Sequence, residues 1–219
     1  MSAPRLHRLR PALAAALLFA APALLAAGEP RLVLSKRFPG SRPEFVELRI
    51  AQDGQVEYRE TPAEEPLRVR LTAAETKAVF DLARKCDRFR RPLESGLKVA
   101  RMGEKLFRWE EGDQQFEVRF NFTQDLDGKA MQDWYERIVE SEMLLIDLER
   151  TAKYDHLGVN QSLLELEAAY DNKRLVALDQ FLPLLDRIAK NETYMHMARE
   201  RAATLAETFR GPQAPKATP

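Results

Sequence analysis

Residues 116–122 read Phe-Glu-Val-Arg-Phe-Asn-Phe, with apolar and polar side chains alternating at every step. A period of two places Phe116, Val118, Phe120 and Phe122 on one face of an extended strand. A helix of the same residues would scatter these rings around its circumference. The segment before it carries Phe107 and Trp109 on one face, and Glu111-Gly112-Asp113 makes a tight turn between the two. The pair reads as an antiparallel hairpin, and its return strand is expected at the centre of the core.

Moving upstream, Leu32-Val33-Leu34 starts a short apolar strand, and Pro39-Gly40-Ser41-Arg42-Pro43 forces a loop. Val46, Leu48 and Ile50 alternate with Glu47 and Arg49. Asp53-Gly54 then signals a hairpin, and Val56 and Tyr58 lie on the return strand. Pro62 and Pro66 bracket an acidic loop before a further strand through Leu67, Val69 and Leu71. Thr72 and Glu75 have the spacing of a capping box, so a helix begins there. Its expected apolar face is Ala78, Val79, Leu82, Ala83 and Cys86, and it ends before Pro92. Residues 92–104 are a looser link. Paired strands followed by a helix thus occur twice, which a duplicated unit would produce.

Downstream the period changes. From about Asp127, Met131, Trp134, Tyr135, Ile138, Val139, Leu145 and Leu148 mark a long helix to near Tyr154. Asn160 is placed as the cap of a helix carrying Leu163, Leu164, Leu166 and Ala169. Leu175 to Ala189 forms another, with Pro183 as a kink or a fresh start. Asn191 is placed as the cap of the last helix, along Tyr194, Met197, Ala198, Ala202, Leu205 and Phe209. The fold class is therefore α+β: an antiparallel sheet built from hairpins with packed helices, followed by a small C-terminal helical bundle. The expected organisation is a signal peptide over 1–27, an α+β domain over 28–152, a helical bundle over 153–210 and a disordered tail over 211–219.

The N-terminus supplies an address. Arg5, His7, Arg8 and Arg10 precede an uncharged run from Pro11 to Leu25, and small residues follow at Ala26, Ala27 and Gly28. This is the layout of a secretory signal peptide, with an uncleaved anchor as the alternative. The run falls short of the roughly 20 residues a membrane-spanning helix needs. No cysteine follows it for lipid attachment, and no arginine pair marks a twin-arginine signal. No later segment is apolar enough to span a membrane. In a bacterium the mature chain is expected to be periplasmic or secreted.

Removing 27 of 219 residues leaves 192, enough for one core plus a helical extension. The chain balances 34 basic against 34 acidic residues, and losing Arg5, Arg8 and Arg10 leaves a net charge of −3. A near-neutral, mixed surface argues against nucleic acid as a partner. The densest basic stretch is Arg84, Lys85, Arg88, Arg90 and Arg91, read as a solvated helix end. Cys86 is the single cysteine, so no internal disulfide exists and the thiol reads as a small buried hydrophobe.

Candidate chemistry is sparse. His156 and His196 are the histidines left after cleavage, and neither has a second histidine at a helical spacing of four, so no metal site is supported. Asp155 and His156 are the candidate catalytic pair, although His156 and Gly158 also suit the end of the long helix. Met195-His196-Met197 could suggest copper, but three consecutive helical residues spread over about 200°, and Met197 is placed on the packed stripe. Asn121-Phe122-Thr123, Asn160-Gln161-Ser162 and Asn191-Glu192-Thr193 fit the glycosylation pattern, which matters in a eukaryotic secretory pathway. No Gly-rich phosphate loop, Gly-x-Ser-x-Gly elbow or Cys-x-x-Cys pair is present, and no cofactor is expected.

The run Phe38-Pro39-Gly40-Ser41-Arg42-Pro43, then Val46 to Ile50, then Asp53 to Tyr58, resembles the opening of a group of uncharacterised exported bacterial proteins. That resemblance carries no activity across. Phe181-Leu182-Pro183-Leu184-Leu185 through Leu205 is similar to one helical hairpin of HEAT-type repeats, and implies a helical unit packed on the sheet domain. Together these readings favour a non-enzymatic binding or scaffolding module of the envelope, with another envelope protein as partner. A large exposed apolar groove between the last two helices would support that reading. The alternative is a small-ligand binder or a hydrolase, with Asp155, His156 and carboxylates gathered in a deep pocket.

Overall fold

The computed structural model describes residues 28–211; the leader and the tail from Pro212 lie outside the described residues. Six strands form one antiparallel sheet: β1 (Arg31–Arg37), β2 (Phe45–Ala51), β3 (Gln55–Arg59), β4 (Leu67–Arg70), β5 (Glu104–Glu111) and β6 (Gln114–Phe120), in the spatial order β4-β3-β2-β1-β5-β6. The first four make a meander and the last two a hairpin that adds beside β1. β4 and β5 run the same way, so the chain must cross the sheet face between them, and α1 (Ala73–Lys85) makes that crossing.

Register explains the patterning. Val69, Val56, Ile50, Leu32, Trp109 and Phe116 lie side by side across all six strands, and Leu67, Tyr58, Leu48, Leu34, Phe107 and Val118 form the next row. Both rows face the helices. The opposite face carries Arg68, Glu57, Arg49, Val33, Arg108 and Glu117 in one row, a largely alternating charge ladder that solvent can wet. Val33 is buried even there, between Arg49 and Arg108 in register, which is why β1 is a continuous apolar run. β2 and β1 are the two central strands, whereas β6, expected at the centre of the core, is an edge. Its pairing partner is fixed by the crossover, which strand periodicity does not encode. The two strand groups are unequal, four strands against two, and share one sheet.

One glycine carries the turn between β2 and β3. Gly54 has φ 86°, and a Cβ there would meet the Leu71 carbonyl oxygen at 2.7 Å. The Leu71 N–H in turn donates to the Gly54 carbonyl at 2.9 Å, locking the hairpin to the start of α1. The capping box at Thr72 and Glu75 forms with both reciprocal bonds. α1 turns Thr76, Val79, Phe80 and Ala83 inward, with Cys86 just beyond, so Ala78 is exposed and Phe80 replaces it on the packed stripe.

After α1 the chain makes a left-handed turn, with φ of 54°, 52° and 63° at Asp87, Arg88 and Phe89. It drives Phe89 into the core against Phe107, ring centroids 5.7 Å apart. Arg84 and Lys85 are the exposed basic last turn of α1, as expected, but Arg88, Arg90 and Arg91 are not simply solvated. Arg88 lies over Trp109 at 5.3 Å, Arg90 over Phe116 at 4.0 Å, and Arg91 forks onto Asp125 at 2.5 and 2.9 Å.

α2 (Leu126–Tyr154) starts at Asp125, whose side chain accepts from the Gly128 N–H at 2.8 Å. At 1.5 Å per residue it is about 44 Å long. Met131, Tyr135 and Ile138 pack in the sheet core, while Leu148 and Ala152 pack in a second core with the later helices. Those are α3 (Val159–Asp171), α4 (Leu182–Lys190) and α5 (His196–Arg210). Pro183 sits in the first turn of α4, so it marks a fresh start rather than a kink. Neither expected asparagine cap forms. Asn160 lies inside α3 and accepts from Arg201 at 2.5 Å, and Asn191 accepts from the Thr193 N–H within the α4–α5 link. Leu185, Ile188, Ala198, Ala202 and Leu205 are buried, so α4 and α5 pack face to face and leave no exposed apolar groove between them.

A strap of four residues ties the two cores. Arg174 pairs with Asp133 and Glu140 on α2, the Leu175 carbonyl accepts from Arg137, the Val176 N–H donates to Ser141 Oγ, and the Ala177 N–H donates to Glu75.

Candidate binding cleft

Between the β1–β2 loop and α2 lies an open cleft of about 640 Å³. Its first wall is the loop Phe38–Glu44. The Phe38 N–H donates to the Glu44 carbonyl at 2.8 Å, Ser41 Oγ donates to the Phe38 carbonyl at 2.7 Å, and the Gly40 N–H donates to Glu44 Oε1 at 3.2 Å. Gly40 has φ 87°, a conformation that favours glycine, and the Arg42–Pro43 bond is cis. The Pro/Gly pattern noted in the sequence thus builds a self-braced ledge rather than a slack linker.

The second wall is one stripe of α2: Glu136, Val139, Glu140, Met143, Asp147 and Arg150. Their spacing of three and four residues keeps them in line along the helix. Val46 and the Tyr135 ring close the inner end. The Tyr135 phenol donates to the Val46 carbonyl at 3.2 Å, and burial pushes its pKa far above the ordinary value, so it stays a neutral donor. Glu165 of α3 stands at the outer end.

The lining is apolar along its length and acidic at its rim. Glu44, Glu60, Glu136, Glu140, Asp147 and Glu165 face three cations, Lys36, Arg42 and Arg150. Glu140 is paired with Arg174 at 2.8 Å and Asp147 with Arg150. No histidine or cysteine lines the cleft; its hydroxyls are Ser41, whose Oγ donates to a backbone carbonyl of the loop, and the Tyr135 phenol, which donates to the Val46 carbonyl.

Asp155 and His156 lie elsewhere. Both are exposed. Asp155 accepts from the Gly158 N–H at 3.1 Å and turns the chain between α2 and α3, and the His156 ring rests on Tyr194 with centroids 4.8 Å apart. Each does a structural task at the helix end, and neither faces the cleft. His196 is exposed and reaches Glu200 at 3.2 Å. Met197 is exposed as well, correcting its place on the packed stripe, which runs instead through Ala198 and Ala202. Cys86 is fully buried, and burial pushes its thiol up to about 11. Among the described residues no group of three or more histidine, cysteine or acidic side chains is placed to hold a metal ion. No helix among them is long and apolar enough to cross a membrane.

One buried carboxyl escaped the sequence reading. Glu142 points away from the cleft into the core, where burial pushes it up to about 7 and the Gln180 amide pulls partly the other way. Its only sequence signal is a helical position between the buried Ile138 and Leu148.

No family model matches the chain, and no curated protein matches it. The functional reading therefore rests on the geometry of the cleft.

Proposed function

We propose that this chain is a non-enzymatic binding module of the bacterial envelope that holds a polypeptide segment of a partner in the cleft between the Phe38–Glu44 ledge and α2. The observation that carries the reading is the shape and chemistry of that cleft. From Tyr135 to Arg150 its wall is about 22 Å long at 1.5 Å per residue, a reach that matches six or seven extended residues rather than a compact metabolite. The apolar lining offers anchors, and the braced ledge costs little ordering on binding. The basic and apolar leader over residues 1–27 supports export.

A photo-reactive side chain placed at Met143, halfway along the wall, tests the reading in native envelope extract. Cross-linking to a polypeptide, read by mass spectrometry and lost when Val139→Glu blocks the lining, is the expected result. Labelling of small molecules alone, or none above that of an exposed control site, overturns it.

A further inference from the structure

We infer that the segment held in the cleft is residues 96–103 of a second copy of this chain, exchanged reciprocally so that each protomer's loop enters its partner's cleft. The inference rests on the cleft being a polypeptide site.

The segment reads Gly-Leu-Lys-Val-Ala-Arg-Met-Gly, with two cations and no carboxylate. It belongs to the irregular link before β5, and it stands proud of the fold. Leu97 is 51% exposed, Val99 38% and Met102 45%. Large apolar side chains left in water close together on a short loop mark a contact surface, and the Val99 N–H donates to the Leu97 carbonyl at 3.0 Å, so the loop turns tightly at Lys98. Lys98 and Arg101 form no ion pair among the described residues. The backbone is nevertheless held: Asn121 accepts from the Met102 N–H at 2.7 Å and donates to the Ala100 carbonyl at 3.0 Å. The segment is thus presented in a fixed shape, which lowers the ordering cost of docking.

The cleft complements it in two respects. With Arg174 pairing Glu140 from outside the lining, six carboxylates stand against four cations, and the remaining negative excess favours a cationic occupant. Met143, 39% exposed on the α2 wall, offers an apolar surface to the leucine, valine and methionine of the loop.

Position supplies the symmetry. Phe38 lines the cleft, and it also borders the surface depression that Arg101 and Gly103 line on the β5 side. A Cβ on Gly103 would lie 3.1 Å from Phe38 Cβ and 2.9 Å from Lys36 Cε. Loop and cleft therefore adjoin on one side of the molecule. Two adjoining complementary patches can satisfy each other twice across a twofold axis, which closes a dimer instead of opening a filament.

Sedimentation velocity of the purified chain from roughly 1 to 100 μM tests this, with two charge-reversed variants. Lys98→Glu/Arg101→Glu reverses the loop and Glu136→Lys/Glu165→Lys reverses the cleft; all four positions lie outside the ion pairs described. The wild type is expected to dimerise, more weakly as salt rises. Each variant alone is expected to dimerise at least tenfold more weakly, and an equimolar mixture to form a mixed dimer, because both exchanged contacts then regain opposite charges. A wild type that stays monomeric, or a dimer indifferent to both reversals, overturns the inference. If the Met143 probe then still captures a different polypeptide, the cleft reading stands and only the self-pairing falls. If it captures residues 96–103 of its own protomer, the segment is a lid and the dimer is again overturned. If it captures no polypeptide, both readings fall.

Discussion

Glu75 and Ala177, 102 positions apart in the chain, are joined by one hydrogen bond: the buried Ala177 N–H donates to Glu75 Oε1 at 3.0 Å. The other oxygen of the same carboxylate accepts from the Thr72 N–H at 2.8 Å to close the capping box. One side chain therefore starts α1 and fastens the strap that carries the helical region.

Glu75→Ala loses both tasks. It is expected to cost about 2–4 kcal/mol, the sum of a lost cap and a buried N–H left without an acceptor. Glu75→Gln keeps one acceptor oxygen and should cost less. Urea unfolding followed by circular dichroism measures both. Equal, negligible losses would show that the strap does not depend on this bond.

The left-handed turn at Asp87–Phe89 stores strain that Phe89 offsets. Each left-handed non-glycine residue costs on the order of 1 kcal/mol, against about 3–5 kcal/mol lost when a buried phenylalanine is truncated to alanine. Phe89→Ala should therefore destabilise strongly. Asp87→Gly relieves strain without touching the ring and should raise stability by up to about 1 kcal/mol. Thermal melts of the two variants should move in opposite directions.

Glu142 gives the folded chain a pH slope. Its carboxyl titrates near 7 when folded against 4.5 as the ordinary value, because burial disfavours the charge. Between those values the native state holds a proton that the unfolded state has released. The contribution to stability is therefore full below pH 4.5 and is lost as pH rises through 7, a total on the order of 3 kcal/mol. Glu142→Gln should flatten that decline; a slope that survives the substitution assigns it to another group.

Cys86 should resist thiol reagents in the native state. Its side chain is buried and its pKa is raised to about 11 by burial, so little thiolate exists near neutrality and none is presented to solvent. Labelling by a disulfide reagent at pH 8 should follow the rate of unfolding and rise sharply in denaturing urea.

The sequence made local structure legible where one or two side chains determine it. Asp53-Gly54, Gly112-Asp113, the Thr72/Glu75 box and the period-two rows of β2 and β5 stand where their residues put them, whereas β6 ends at Phe120, so Phe122 lies beyond the strand whose face it was expected to share. What stayed hidden depends on distant partners. β6 looks central because its aromatic residues are dense, yet its edge position follows from where α1 deposits β5. Asn160 and Asn191 have the chemistry of caps, but Arg201 and Thr193 occupy their oxygens. Arg88, Arg90 and Arg91 read as a solvated run because their partners, Trp109, Phe116 and Asp125, lie 20 to 35 positions away. The cleft was half visible: the Pro/Gly loop was plain, but its pairing with α2 joins residues from Lys36 to Glu165.

The length of α2 has a thermodynamic consequence. A rod shared by two apolar clusters cannot melt at one end without exposing the other's neighbours, and the strap at Arg174–Ala177 adds a second tie. The sheet and the helical region should therefore lose structure in one all-or-none transition, with probes of Trp109 in the first cluster and Tyr194 in the second reporting the same midpoint.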